Sequence, residues 1–152
     1  EAKQVSAAAA GAEVSDPIAR QTVLRQLSHA RRVLFEAQTM VPSCPFVNLH
    51  CGLVMAEIAR LKVGPRCDSL FDSAYERFQA SLDIKPLAAA YDAYVAALRS
   101  HAELKRRLVG ASAEAEAEAS RELDDRAERL EAARLADERL ALPGAGKSCV
   151  PD

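Results

Sequence analysis

Apolar residues recur at steps of three and four along most of this chain, and prolines cut the pattern into pieces. Val23, Leu27, Ala30, Leu34, Ala37 and Val41 are spaced this way between Pro17 and Pro42. That spacing lays them along one face of an α-helix, which turns once every ~3.6 residues. No long run alternates β-branched residues, as a half-buried strand would. Hydrophobic residues make up 49% of the chain, much of it alanine, while aromatics are 5% and tryptophan is absent. This mix suits close-packed helices better than a sheet. An all-α fold is expected, and 152 residues suffice for one domain with a real core.

The same reading predicts five helices. The first starts at Pro17, with Asp16 as N-cap, and stops at Pro42. The second, from about Pro45 to Val63, carries two stripes: Val47, Cys51, Val54, Ile58 and Leu61, and Phe46, Leu49, Leu53 and Ala56. Two stripes imply burial on two sides, so this helix should be central. Gly64-Pro65 should end it. The third, near Asp68 to Ile84, presents Phe71, Tyr75, Phe78 and Leu82, with Ala74 beside them. The fourth follows Pro86, from about Leu87 to Leu108, with Tyr91, Tyr94 and Leu98 on one face and Gly110 as its stop. The fifth spans 112–142 and is rich in Ala, Glu, Arg and Leu, with a thin seam of Ala119, Leu123, Leu130, Ala133 and Leu140. Asp137 falls where a heptad needs another leucine, so a clean coiled coil is not expected. That helix should be mostly exposed, with one narrow contact line.

Four segments result: a flexible arm over 1–15, a four-helix core over 16–110, a long charged helix over 111–142 and a tail over 143–152. The fold expected is a set of antiparallel helical hairpins, as a bundle or a short solenoid, followed by the charged helix. Net charge is −2, but residues 17–110 hold 13 basic against 8 acidic side chains, and residues 111–142 hold 5 against 10. A basic body and an acidic extension either complement each other or face different partners; the plainer reading is a solvated helix face. No apolar run reaches the ~18 residues of a membrane span, while peripheral association stays open. The chain opens at Glu1 rather than methionine, as expected of a fragment or of a protein whose leader was removed. An intracellular location is favoured, including an organelle reached by such a leader.

A repeat is also present. Ala30, Leu34, Ala37 and Pro42 have counterparts at Ala74, Phe78, Ser81 and Pro86, each 44 residues on. Each set closes one helix and is followed by another. Here the sequence resembles the tetratricopeptide-like helical repeats, whose second helix carries a small residue, a large apolar one four on, a small one three on and a proline five on. Gly52 falls where such a repeat has a glycine in its next first helix; Val95 or Ala96 falls there in the second unit. The family period is about 34 residues, so the longer spacing here requires longer helices or an inserted loop around Gly64. The resemblance implies stacked helix pairs that bind peptides or partner proteins, and it assigns no binding residues.

The chemistry-bearing side chains form no convincing constellation. Cys44 and Cys51 bracket two helical turns, about 10 Å apart by helix rise, whereas a disulfide needs Cα atoms within about 7 Å. Cys67 should lie far from Cys44 and more than a turn from Cys51, and Cys149, in the tail, could reach another cysteine. Mostly free thiols are expected, with Cys51 in the core, which mildly favours a reducing compartment. Cys44, His50, Cys51 and Cys67 fit no zinc spacing, since His50 and Cys51 point about 100° apart on a helix. His29 and His101 have no sequence-local triad partner, and a catalytic pair assembled by folding stays open. Gly144-Ala145-Gly146-Lys147-Ser148 looks like the end of a phosphate loop, but position 141 is alanine where glycine is needed. Lys105, Arg106 and Arg107 suit the negative end of a helix, and without a wider basic stripe they do not indicate nucleic acid.

No catalytic, cofactor or metal residues are assigned. The expected role is a non-catalytic accessory subunit that meets other protein subunits through its helices. The rivals are a peptide-binding repeat adaptor and a ligand-binding bundle or enzyme, the latter resting on Cys51, His50, Tyr91 and Tyr94.

Overall fold

The computed structural model describes residues 16–62, 67–107 and 113–141. The expected arm and tail, the stops at Gly64-Pro65 and Gly110, the 144–148 motif and Cys149 lie outside these residues. Five helices follow in order: α1 (Pro17–Met40), α2 (Pro45–Leu61), α3 (Cys67–Ile84), α4 (Ala88–Arg106) and α5 (Ala113–Ala136), then a short 3-10 turn (Glu138–Ala141). Among the described residues there is no strand. Successive helices pack as antiparallel hairpins, closest between α2 and α3 and between α4 and α5, and α2 also meets α4.

The helix ends follow local chemistry. Asp16 caps α1, its Oδ1 accepting from the Ile18 N–H at 3.0 Å, and Pro17 occupies the first turn, where its missing N–H costs nothing. Pro45 does the same for α2. The turn between them is held by Asn48, which is 1% exposed. Its Nδ2 donates to the Pro42 and Cys44 carbonyls at 3.2 and 2.9 Å, and its Oδ1 accepts from Arg77 of α3 at 3.4 Å. Ser81 Oγ donates to the Pro45 carbonyl at 2.8 Å. One buried amide and one hydroxyl thus fix how α1, α2 and α3 meet.

The core lies among α2, α3, α4 and the inner edge of α5. Phe71, Phe78, Ala74, Ala59, Ala90, Leu98 and Ala127 have no exposed surface, and a fully buried Phe or Leu contributes about 1.5–3 kcal/mol. Gly52 lets Phe78 reach the α2 backbone: a Cβ there would lie 2.6 Å from Phe78 Cε1. α2 is central and buried on two sides, as expected, except that Leu53 stays 37% exposed.

α5 differs from expectation in length. It ends at Ala136, not near Leu142, because Asp137 redirects the chain: its Oδ1 accepts from the Arg139 N–H at 3.1 Å and starts the 3-10 turn. A narrow contact line is present, but it shares only Leu123 with the expected seam: Ser120, Leu123 and Ala127 are buried, at steps of three and four, while Ala119 and Leu130 are half-buried and Ala133 is exposed. Leu123 and Ala127 join the core. α1 is the outlier. None of its residues is buried, although its stripe of Val23, Leu27, Ala30, Leu34 and Ala37 is half-covered.

Candidate functional site

Two features set themselves apart: a polar chain linking α3, α4 and α5, buried at Tyr75 and His101 and open to solvent at Asp68, and the uncovered side of α1.

The polar chain grows from periodicity. Asp68 and Tyr75 are seven residues apart on α3, and Leu98, His101 and Lys105 follow at steps of three and four on α4. Both sets face the α3–α4 seam. The Tyr75 hydroxyl lies 2.8 Å from His101 Nδ1, and His101 Nε2 lies 2.7 Å from Asp68 Oδ1. Burial pushes the Tyr75 hydroxyl far above the ordinary tyrosine range, so it keeps its proton. With a hydroxyl against Nδ1 and a carboxylate against Nε2, both ring nitrogens have a partner. Lys105 Nζ donates to Asp68 Oδ2 at 2.7 Å and pairs with Glu116 of α5 at 3.0 Å. Partial burial of Asp68 works to raise its pKa, but Lys105 and His101 outweigh it and hold the carboxyl below its usual value. Burial likewise opposes the charge on Lys105, and its two carboxylate partners outweigh that and raise its pKa. Asp68 at the start of α3 and Lys105 at the end of α4 each complement their helix dipole.

This Tyr–His–Asp order looks like a catalytic relay, but its geometry is that of a tie. Tyr75 is 4% exposed, and its ring is covered by Tyr94 at 5.4 Å and by the Arg126 guanidinium at 5.2 Å. Phe71 stacks on His101 at 4.3 Å. Two open notches lie along the α4–α5 seam. One of about 230 Å³ is lined by Tyr94, Arg126, Arg129 and Leu130. The other, of about 450 Å³, is bounded by Asp92, Val95, Arg99, Glu131, Arg134 and Leu135. Ligand sites usually enclose most of their occupant and converge a few polar groups on it. In the second notch the charged groups are bound to each other, Arg99 to Glu131 at 2.8 Å and Arg134 to Asp92 at 3.1 Å.

The other candidate residues are scattered. Cys51 is a free thiol, 2% exposed, whose pKa burial raises although the Arg77 charge opposes it. His50, next to it, faces outward. Cys67 is also free and buried. Cys44 is disulfide-bonded, while Cys51 and Cys67 keep free thiols, so most of the described cysteines are free as expected. A disulfide weakens the argument for a reducing compartment. Among the described residues no three His, Cys, Asp or Glu side chains stand together as a metal site. His29 is exposed and lies 3.1 Å from an Arg32 nitrogen. Tyr91 O–H donates to Asp137 at 2.8 Å, and Tyr94 accepts from Arg126 at 3.3 Å. The Lys105, Arg106 and Arg107 cluster is engaged by carboxylates: Arg106 meets Asp124 at 2.6 Å and Glu103 at 2.8 Å, and Arg107 meets Glu103 at 3.4 Å. The acidic α5 therefore neutralises the basic end of α4 within one molecule.

Sequence reasoning named His101 without finding its partners, and it missed the roles of Asp68 and Asn48. The available signal for His101 was its place on the α4 stripe, three residues after Leu98. A polar residue on a buried stripe needs a partner.

The uncovered side of α1 is of another kind. Ile18, Val33 and Met40 are 77%, 49% and 81% exposed and share one outward face with Arg25, His29, Arg32 and Glu36, by helical spacing. Phe35 and Val41, also exposed, flank it. No helix of the described residues is long and apolar enough to cross a membrane. No protein-family model, no curated protein and no solved structure matches this chain.

Proposed function

We propose that this chain is a non-catalytic helical subunit of a larger protein assembly, working by contact through its helix surfaces. The observation that carries this reading is α1: a 24-residue helix without one buried residue, exposing Ile18, Val33, Phe35 and Met40. Contiguous exposed apolar patches mark interaction surfaces, and Val33 and Met40 lie two turns apart on one face of α1. The side chains capable of catalysis fit the same reading, since Tyr75, His101 and Asp68 bond one another across the α3–α4 seam.

The test is co-purification under native conditions, comparing the wild-type chain with Val33→Asp/Met40→Asp. Both positions are exposed, so the variant should keep its helical circular dichroism. The reading expects defined protein partners with the wild type and their loss with the variant. Identical partners for both, or none for either, would contradict it.

A second reading, the peptide-binding repeat adaptor, draws support from the packing. The closest pairs are α2 with α3 and α4 with α5, and the first helices of those pairs, α2 and α4, touch. That order is what stacked helix pairs require. Protection of α2 and α4 amides from exchange by a bound peptide, with α1 unaffected, would favour it.

A further inference from the structure

The two outermost helices are a matched pair. α1 and α5 are each 24 residues long, about 36 Å of helix. Each packs chiefly on one neighbour, α1 on α2 and α5 on α4, so each leaves a side open. Their charges are opposite: α1 carries four arginines and one acid, α5 eight acids and four arginines. On the open side of α1, Arg25 and Arg32 are exposed with a single acid, Glu36, and among the described residues neither arginine forms an ion pair. On the open side of α5, Glu114, Glu118, Glu122, Asp125 and Glu128 are exposed at steps of four and three, without an ion pair among the described residues, and they outnumber Arg121 and Arg129 on the same side. Leu135, 83% exposed, lies at the edge of this side of α5, beside the α4–α5 notch, and Met40 and Val33 lie on the open side of α1.

We propose that the open face of α1 is a docking surface for α5 of a second copy of this chain. The inference rests on the contact-acting reading above and names the partner. Basic α1 of one copy lies along acidic α5 of the next, the exposed apolar side chains of both closing the seam. Because the two surfaces differ, the contact is heterologous: it continues from copy to copy unless its rotation closes a ring. Charge dominates the seam, so the association weakens as salt screens it.

The test is the molar mass of the purified full chain in solution by light scattering across concentration. At low ionic strength the mass should rise with concentration above 16.4 kDa, as a series of multiples. It should return to the single-chain value in about 1 M salt, where the screening length is about 3 Å. Arg25→Glu/Arg32→Glu should be a single chain under all conditions, and so should Glu118→Arg/Glu122→Arg/Asp125→Arg. Mixing these two variants should restore association, because each then offers the surface that the other matches, and this recovery also shows that both are folded. A single chain at every concentration at low salt, or association unaffected by either reversal, would overturn the inference. A purified chain that stays single while the native chain still holds foreign partners would overturn self-docking and leave the subunit reading intact.

Discussion

Phe78 has no exposed surface and lies against Gly52, so its ring has nowhere to retreat. Gly52→Ala would gain helix propensity of about 1 kcal/mol but would force a Cβ to 2.6 Å from that ring. Overpacking of this kind costs about 1–3 kcal/mol, so net destabilisation is expected in urea unfolding, partly relieved by adding Phe78→Leu. His101→Leu leaves the Tyr75 hydroxyl buried without a partner, at a cost of about 1–3 kcal/mol. Adding Tyr75→Phe should recover part of that loss, so the double variant costs less than the sum of the single ones. Asp68 supplies the pH dependence. Its pKa is lowered on folding, so its contribution is present above the ordinary carboxylate value of about 4 and is lost as pH falls through the folded value. Acid unfolding should therefore flatten in Asp68→Asn, measured as stability against pH; an unchanged profile would remove Asp68 from this role.

At the scale of the helices, prolines and apolar spacing placed four of the five well. α3 begins one residue from its expected start, and Asp16 caps α1 as its position implied. The end of α5 was not legible, because it depends on the Asp137 side chain turning back on Arg139 and accepting from Tyr91, a contact spanning 46 residues. The buried ties were illegible for the same reason: Tyr75 and His101 are 26 residues apart, and only packing shows that their stripes meet. Periodicity says that a face is covered, not by what, and α1 shows this limit, since its regular stripe is only half-covered. For α5 the seam is the testable element. Leu123→Ala should cost about 2–5 kcal/mol, and hydrogen exchange should rise first along α5. Uniform loss of protection across all helices would argue that α5 does not open separately.

At the scale of the molecule, charge was readable in the chain but its use was not. Part of the acidic excess of α5 is spent within the molecule, on Arg99, Lys105 and Arg106. What remains faces outward, opposite in sign to α1. A chain whose Tyr75 and His101 are enclosed, whose notches are open and whose first helix has no buried residue fits the contact-acting role proposed above. The most direct test is the native size of this chain in gently lysed source material, by size exclusion with detection of the chain itself. The account predicts elution far above 16.4 kDa, shifted down by Val33→Asp/Met40→Asp. Elution of the wild type as a single free chain would contradict it.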